Sequence, residues 1–497
     1  MSKAERIIQI ILDCVKADQF FSLLNEGKLP NIEKYFCNGL KGNLTGIFPA
    51  ITIPARLTLL TGTYPDHYDV PGMHFYERKK NKIHDCASLH QFDVPNILGG
   101  DAKTIYEQID GNTADIFSVL FRGADYYYPT KWDVIKMYLW HFYIKKSNIM
   151  LANKFTVKKL LKLFNKPRKF FSNNDAPRFV SVWFFSTDSI FHKLGNKSKE
   201  YIDNLIDIDK NLGDLIDGTN KFKGLKELGY FDDTVFIIGS DHGNYKAKKH
   251  IYLEPYFENN GLIPIKLKKR EGNFDGAIDS LGQFYFLGED DQRPTINQLK
   301  NYGPSKINIF EVLMNIEGMK LIYHRDDENT RDKGTIYIQY KDDENIHGGI
   351  IDYNRDKTRL SFTDIDFFGY SNDPKASKML DGKYHTINEW LEHTHHLNFP
   401  MVADQVVRLF KNENSCDILC STIEETIFHW EHGKTTKESL YGHDVATHDG
   451  VTTPLLISGG NISKHTIPYS KSSDLVPTIV KILDGNLASS VVGKSLI

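Results

Sequence analysis

The segment DTVFIIGSDHG, residues 233–243, joins a short apolar run to an aspartate and a histidine near its end. The run is continuous and rich in β-branched residues, which is typical of a strand buried on both faces of a parallel sheet. Similar runs occur in RIIQIILD (6–13), RFVSVWFFSTD (178–188) and TTPLLISGG (452–460). Helical patterns lie between these runs. The sequence therefore predicts an α/β fold with a mostly parallel central sheet flanked by helices on both faces.

Three of these runs carry an aspartate at or near the carboxyl end, namely Asp13, Asp188 and Asp241. Ligands of open α/β sheets bind beyond the carboxyl ends of the strands, so we expect the three carboxylates at one edge. His192 and His242 lie close in sequence to two of them. A single aspartate after a strand is commonly a helix cap or a turn residue. Three of them, two with histidine neighbours, favour one shared site.

A second informative segment is FPAITIPARLTLLTGTYPDHYDVPG, residues 48–72, in which Thr52 stands two positions before Pro54. Proline suits the first position of a helix, so we predict that a helix begins at Pro54. The free N–H groups and the dipole of a helix N-terminus favour an anion beside Thr52. The alternative interpretation is that Thr52 is an ordinary helix cap.

The acidic and histidine residues are of the types that bind divalent metals. Carboxylate oxygens and imidazole nitrogens suit Zn²⁺ and Mn²⁺, and His443 precedes the run at 452–460. Two sets of about three ligands would hold two metals about 4 Å apart. Such a pair lowers the pKa of a hydroxyl nucleophile and stabilises a leaving oxygen. The pattern therefore indicates phosphoryl transfer through a covalent intermediate on Thr52.

These segments, together with VPGMHFYER (70–78), resemble the alkaline phosphatase superfamily. Within it they are most similar to the type I phosphodiesterases and nucleotide pyrophosphatases. The resemblance implies an alkaline-phosphatase-like core and two divalent metals, Zn²⁺ with Mn²⁺ as the alternative. The ligand set that it implies is Asp188, His192 and His443 for one metal and Asp13, Asp241 and His242 for the other, with Thr52 bridging both.

Two positions complicate this assignment. Ala55 stands where the family often has an asparagine that helps to bind phosphate, and Arg56 follows it. We expect Arg56 to bind the substrate phosphate instead, because a guanidinium binds phosphate oxygens bidentately. The alternative is an arginine on the helix surface. His448 lies five residues after His443 and competes with it as the third metal ligand.

The composition along the chain predicts a divided core. Residues 1–264 and 399–497 are expected to form the catalytic core, and 265–398 a mixed α+β insert marked by turn clusters and short strand-like runs. Residues 131–171 hold eleven Lys or Arg against one Asp, with interleaved aromatic residues. This segment is predicted to be either a helical cap over the site or an interfacial patch for a membrane surface or an anionic substrate.

Bulk properties limit location and partners only loosely. The 497 residues carry a net charge of −3 and five scattered cysteines, which we interpret as reduced, buried thiols of a reducing compartment. The N-terminal run IIQIIL is too short to span a membrane. The expected location is cytoplasmic, with peripheral attachment to a membrane left open. No specific nucleic-acid recognition is expected.

The resulting hypothesis is a two-metal hydrolase that cleaves phosphodiester or pyrophosphate bonds through a phospho-threonine at Thr52. The insert and the basic segment are expected to shape the side of the site that holds the leaving group. A phosphomonoesterase and a phosphoryl or phospho-alcohol transferase on the same site remain alternatives. A non-catalytic protein that binds anions or membranes is the third interpretation.

Overall fold

The computed structural model describes residues 4–118, 120–136, 149–267, 271–278, 280–289, 292–430 and 439–497. The strands of its two large sheets are, in chain order, β1 (Arg6–Leu12), β2 (Leu40–Thr45), β3 (Thr113–Ile116), β4 (Tyr126–Tyr128), β5 (Phe179–Phe184), β6 (Thr234–Gly239), β7 (Phe274–Ile278), β8 (Leu281–Phe286), β9 (Leu321–Arg325), β10 (Lys333–Lys341), β11 (Ile346–Asn354), β12 (Lys357–Phe362), β13 (His385–Thr386), β14 (Ile418–Ser421), β15 (Thr452–Ser458) and β16 (His465–Lys471). Four short two-stranded pairs lie outside these sheets within the described part of the chain.

The helices of the described residues alternate with the strands of the central sheet and surround the second sheet. They are α1 (Ala17–Asn25), α2 (Pro30–Phe36), α3 (Thr52–Thr61), α4 (Val94–Ile97), α5 (Leu151–Asn165), α6 (Ser186–Leu194), α7 (Lys199–Asp217), α8 (Glu254–Glu258), α9 (Ile296–Lys300), α10 (Ile309–Met314), α11 (Ile387–Thr394), α12 (Val402–Lys411), α13 (His448–Val451) and α14 (Leu475–Ile482). Within the ranges given above, no helix has both the length and the apolarity needed to cross a membrane.

The central sheet has the strand order β16-β2-β15-β6-β1-β5-β3-β4. All neighbouring pairs are parallel except those of β15, which runs antiparallel to β2 and β6. The four apolar runs identified in the sequence supply the adjacent strands β15, β6, β1 and β5. The prediction of a mostly parallel sheet is therefore confirmed.

Both faces of the central sheet are covered, as the unbroken apolar strands require. In β1, Ile7 and Ile11 belong to one apolar cluster, which also includes residues of α3 and α14. Ile8 and Ile10 belong to the other, which includes residues of α1, α2, α5 and α7. Fully burying one such side chain stabilises the fold by about 1.5–3 kcal/mol. The alternating pattern of β1 thus fixes helices on both sides of the sheet.

The second sheet is antiparallel throughout, in the order β7-β8-β14-β9-β10-β11-β12-β13. Most of its strands lie in the predicted insert, 265–398. The structure differs from that boundary at β14, which pairs with β8 and β9 although its residues were assigned to the core. A short buried strand carries no sequence signal for the sheet that it joins, so this pairing was not predictable.

Two helix predictions test how well local patterns set boundaries. The pattern at 198–222 predicts a helix capped by Ser198, and α7 is capped by that hydroxyl, which accepts from the Tyr201 N–H at 3.2 Å. The pattern at 252–265 predicts a short helix ended by Asn-Asn-Gly, and α8 ends at Glu258, directly before Asn259, Asn260 and Gly261, the last with a φ of +69°. Of the predicted basic segment, residues 137–148 lie outside the described residues.

A buried ionic network joins the end of the α3 region to α12. The Arg408 side chain, on α12, donates to Asp66 Oδ2 at 2.9 Å and to Asp404 Oδ2 at 2.7 Å. Asp66 lies in the turn Pro65–His67 that follows α3. All three side chains are at most 4% exposed, so they satisfy one another away from water. The network therefore anchors the turn after the helix that begins with Thr52.

We expect Arg408→Met to lower the free energy of unfolding by about 3–5 kcal/mol, because it leaves two buried carboxylates without their cation. Urea denaturation followed by circular dichroism measures this change. Lys199→Met is the control, because its partner Asp203 is paired at the surface and its loss should change stability by less than about 0.5 kcal/mol. Equal free energies of unfolding in the two variants would show that the buried network does not stabilise the fold.

Candidate active site

The topology brings distant residues to one edge of the central sheet. Asp13 directly follows β1, Asp241 and His242 follow β6, and Asp188 lies on α6 after β5. These strands are parallel neighbours, so their carboxyl ends share an edge. Because β15 is antiparallel, its amino-terminal end lies at the same edge, and His443 precedes it. This arrangement explains why these residues, distant in sequence, lie close together.

The first cluster consists of Asp188, His192 and His443. One ligand atom from each lies within 4.8 Å of the others. Asp188 Oδ1 is 3.2 Å from His192 Nε2 and 3.9 Å from His443 Nε2. The side chains of Asp188 and His192 are 23% and 32% exposed, so this cluster borders solvent. It combines the ligands that the resemblance assigns to one metal.

The second cluster consists of Asp13, Asp241 and His242, again with ligand atoms within 4.8 Å of one another. His242 Nε2 is 3.5 Å from Asp13 Oδ1 and 3.8 Å from Asp241 Oδ2. The three side chains are at most 3% exposed. The rings of His242 and His443 stack with centroids 4.0 Å apart, which places the two clusters side by side.

The three histidines share one hydrogen-bonding pattern. Each places Nδ1 within hydrogen-bond distance of a backbone carbonyl, which fixes the proton on Nδ1 and leaves the lone pair of Nε2 facing the carboxylates. Ring orientation is thereby set from outside the site. The pairs are His192 with Tyr441 at 3.1 Å, His242 with Gly243 at 3.1 Å and His443 with Ala50 at 3.2 Å.

Each cluster therefore brings together atoms that accept hydrogen bonds and repel one another. Asp13 Oδ1, Asp188 Oδ1 and Asp241 Oδ2 are buried and have no hydrogen-bond donor among the residues that the structure describes. The other oxygen of Asp241 accepts from the backbone N–H groups of Cys14 and His242, which holds Oδ2 toward the cluster. A divalent cation satisfies such facing lone pairs, so both clusters fit metal ions by their donor chemistry.

The pKa shifts follow from this crowding of like groups. Burial raises the pKa of Asp13 well above its ordinary value, and the neighbouring carboxylates raise it further. Burial also acts to raise the pKa of Asp188, but the imidazoles of His192 and His443 outweigh it and the pKa is lowered. Burial, followed by the charge of His443, lowers the pKa of His242. His242 is thereby held neutral, which is the form that ligates metal.

Thr52, the first residue of α3, lies at this site. Its Oγ1 is 3.2 Å from His242 Nε2. The helix begins at Thr52, two residues before the predicted start at Pro54, because Thr52 and Ile53 already have helical hydrogen bonding and Pro54 occupies the first turn. Residue Ile51 is the cap position, and no side-chain cap is formed. The hydroxyl of Thr52 therefore faces the second cluster and does not serve as a helix cap.

Arg56 is one turn along α3 from Thr52, on the same face of the helix. It is 2% exposed, so the alternative of a surface arginine does not describe its position. Its guanidinium carbon lies 3.7 Å from the ring centroid of Trp183, and within the described part of the chain its three guanidinium nitrogens have no hydrogen-bond partner. Burial lowers its pKa, while Asp241 and Asp13 act in the opposite direction.

His448 lies apart from both clusters of the described residues. It begins α13, and its backbone N–H donates to the Asn398 carbonyl at 2.7 Å. Burial lowers its pKa, and the nearest charges that act on it include Asp449 and Asp18. Of the two histidines that compete as the third ligand, the structure places His443 with Asp188.

Sequence patterns did not identify the groups that orient the ligands. The carbonyls of Ala50, Gly243 and Tyr441 act through the backbone, so their residue types carry no signal. Trp183 could be suspected only as a bulky residue near the end of β5. Cys14 adopts a φ of +62°, a conformation that favours glycine, while its N–H donates to Asp241. A cysteine at this position gives no sequence signal for that conformation.

The amino-acid sequence matches a known protein family. A sequence profile described as Type I phosphodiesterase / nucleotide pyrophosphatase matches residues 7–335. The chain belongs to this family. The matched range contains Thr52, the pair Asp188 and His192 after β5, and the pair Asp241 and His242 after β6. His443 lies beyond it. Family membership confirms the resemblance noted in the sequence.

Individual relatives match a smaller part of the chain. Human ectonucleotide pyrophosphatase/phosphodiesterase family member 1 is 27% identical over 237 residues, 46% of this chain and 23% of the relative. The venom phosphodiesterase of Macrovipera lebetinus is 23% identical over 237 residues, 46% of this chain and 25% of the relative. The match therefore spans about a quarter of the length of these relatives.

Solved structures match over almost the whole chain. Human ectonucleotide pyrophosphatase/phosphodiesterase 5 has a TM-score of 0.59 at 14% identity, covering 97% of this chain and 95% of that chain. An inactive threonine-to-alanine variant of the murine protein, in complex with AMP, has a TM-score of 0.57 at 13% identity, covering 97% and 96%. These likenesses confirm the predicted alkaline-phosphatase-like fold with its additional antiparallel sheet.

We expect His443→Ala to weaken the binding of Zn²⁺ to the first cluster by more than about 100-fold, because it removes one of three ligands and loss of a mere outer partner of a ligand already costs about 10- to 100-fold. Isothermal titration of chelator-treated protein with Zn²⁺ measures this change. His448→Ala is the matched control, since it removes an imidazole five residues away without touching the cluster. Loss of affinity in the His448 variant but not in the His443 variant would reverse the assignment.

Proposed function

We propose that this protein hydrolyses phosphodiester or pyrophosphate bonds through a covalent phospho-threonine at Thr52. The observation that carries the proposal is the 3.2 Å separation of Thr52 Oγ1 and His242 Nε2, beside two metal-fitting clusters. The hydroxyl thus lies against a candidate ligand of the second cluster. Family membership supports a hydrolase of this class.

The two clusters and the start of α3 would have different roles in the reaction. Asp188, His192 and His443 would hold one divalent cation, and the second cluster would hold another, with Zn²⁺ preferred and Mn²⁺ as the alternative. When bound, these ions would supply positive charge that lowers the pKa of the Thr52 hydroxyl and stabilises phosphate oxygens. The start of α3 holds the Thr52 hydroxyl in place and directs free backbone N–H groups toward an anion.

The covalent steps balance without any further reactant. The Thr52 hydroxyl loses its proton to solvent as Oγ1 forms a bond to phosphorus, the bond from phosphorus to the leaving oxygen breaks, and the leaving group takes up a proton from solvent. Water then attacks the same phosphorus, the bond from phosphorus to Oγ1 breaks, and Oγ1 takes up a proton of that water, so that a diester substrate gives a phosphomonoester product. Each step transfers one electron pair to the departing oxygen, and no oxidation occurs.

The charge of the site favours an anionic substrate. Three carboxylates and neutral imidazoles would leave two bound divalent cations with a net charge of about +1. Arg56 adds a further positive charge beside them if its pKa stays above the working pH, as expected for arginine. The murine structural neighbour was solved in complex with AMP, which supports a nucleotide as the part of the substrate that becomes the phosphorylated product. We propose that Arg56 contacts the substrate phosphate.

We expect Thr52→Ala to lower turnover of bis-p-nitrophenyl phosphate by at least about 1,000-fold, because it removes the nucleophile. The variant should keep the metal content of the parent, which elemental analysis measures. Thr52→Ser is the matched control and should keep turnover within about 100-fold, since its hydroxyl can still attack. Acid quenching followed by mass spectrometry should detect a phosphorylated Thr52 peptide in the parent.

Full activity of the Thr52→Ala variant would show that another group is the nucleophile. Comparison of bis-p-nitrophenyl phosphate with p-nitrophenyl phosphate separates the proposed diesterase from a monoesterase. A preference of the parent for the monoester would replace the proposed substrate class but leave the role of Thr52 intact. Addition of an alcohol acceptor distinguishes hydrolysis from transfer, because only a transferase would yield a new phosphoester.

We expect Arg56→Met to lower kcat/KM by about 100-fold while the free energy of unfolding stays equal or rises by about 1 kcal/mol. The buried guanidinium has no hydrogen-bond partner, so the fold loses little with it. Arg359→Met is the control, because Arg359 pairs with Asp352 on the second sheet. Unchanged kcat/KM in the Arg56 variant would remove it from substrate binding.

A further inference from the structure

The outward side of α5 and the turn after it form a basic surface. We define the basic face as Lys154, Lys158, Lys162, Lys166, Arg168 and Lys169. The first four stand at every fourth position, which aligns them along one side of the helix over roughly 18 Å. All except the half-buried Lys162 are exposed. The opposite side of α5 is buried in the core under the central sheet.

Large apolar side chains stand exposed beside the basic face. Trp132 is 71% exposed, Leu151 53% and Phe155 37%. They account for three of the nine large apolar side chains that are exposed in the described part of the chain. Lys159 Nζ lies 3.5 Å from the ring centroid of Tyr128, and the ring centroids of Tyr128 and Phe155 are 5.6 Å apart, which places the chain that leads to Trp132 next to α5. Exposed apolar side chains are thus concentrated where the positive charge is.

The charges of the basic face are not neutralised within the protein. None of its six side chains forms an ion pair in the portion of the chain that the structure covers, whereas the nearby Lys131 pairs with Asp93 at 2.8 Å. Two acidic groups act on the helix from its surroundings. Asp133 interacts with Lys159, and Asp214 on α7 is influenced by Lys154. The face therefore presents a surplus of positive charge to its surroundings.

We propose that the basic face, with Trp132, Leu151 and Phe155, docks onto an anionic lipid surface. Lysines along a helix attract anionic headgroups, and adjacent aromatic and leucine side chains enter the boundary between headgroups and acyl chains. A nucleic-acid surface would leave these apolar side chains without a partner, because phosphate contacts are made by polar and basic groups. The combination of both side-chain types therefore favours lipid.

Docking in this way brings the edge that carries the active site toward the lipid. Asn153 near the start of α5 accepts from the Ser186 hydroxyl at 2.7 Å, and Ser186 begins α6, which carries Asp188 and His192. Phe155 is 6.5 Å from Phe117 between ring centroids. The lipid-facing end of α5 therefore packs directly against the helix of the first cluster. This inference concerns location and stands independently of the proposed reaction.

The test is flotation of the full-length protein with vesicles of phosphatidylcholine, with and without phosphatidylserine. We expect binding only to the vesicles that contain phosphatidylserine. The triple variant Lys154→Glu, Lys158→Glu and Lys162→Glu should lower the partition coefficient by at least about 100-fold, since each lysine near an anionic surface contributes about fivefold and each added glutamate is repelled. The control Lys300→Glu, Lys357→Glu and Lys378→Glu changes net charge equally at exposed sites and should bind within about threefold of the parent.

The aromatic contribution is measured separately. The emission of the parent protein should shift to shorter wavelength on phosphatidylserine vesicles, and Trp132→Ala should lose that shift as the indole no longer enters the interface. Both lysine triple variants should keep the circular dichroism spectrum and the urea midpoint of the parent, which shows that they fold. Absent binding of the parent, equal loss in both triple variants, or RNA binding abolished only by the α5 triple variant would overturn the proposal.

Discussion

Facing lone pairs are the constraint on which the active site depends. Carboxylate oxygens and imidazole nitrogens converge at one edge of the central sheet, and one oxygen each of Asp13, Asp188 and Asp241 has no hydrogen-bond donor among the described residues. A fold can keep such an arrangement only if strong elements hold the groups from behind and cations bind between them. The buried strands β1, β5 and β6 supply that support for the carboxylates. Backbone carbonyls supply it for the histidines.

The support is unequal on the two sides of the site. The second cluster is almost completely buried and is held by backbone N–H groups around Asp241. The first cluster borders solvent, and two of its members lie on α6. Solvent therefore reaches the site from the side of the first cluster, while the Thr52 hydroxyl lies against His242 of the second cluster. The site thus has a buried inner half and an accessible outer half.

The sequence predicted the parts of this structure that local physics determines. Continuous apolar runs marked four neighbouring strands, and the polar residues after them marked the site. Other features depend on contacts distant in sequence. The pairing of β14 with the second sheet, the choice of His443 over His448 and the burial of Arg56 against Trp183 each depend on three-dimensional packing. Residue types alone are compatible with several outcomes at these positions.

The direction of β15 has a consequence for how the centre is assembled. Asp13, Asp241 and His242 belong to the first half of the chain, whereas the first cluster is incomplete until His443 arrives from the far end. Opening of the C-terminal strands would remove a ligand from the outer cluster, whereas from the inner cluster it would remove only support, such as the hydrogen bonds that the N–H groups of Gly243 and Asn244 donate to the carbonyls of Gly450 and Asp449. The two cation sites are therefore coupled unequally to local unfolding, and the outer one reports on the integrity of the chain's last sixty residues.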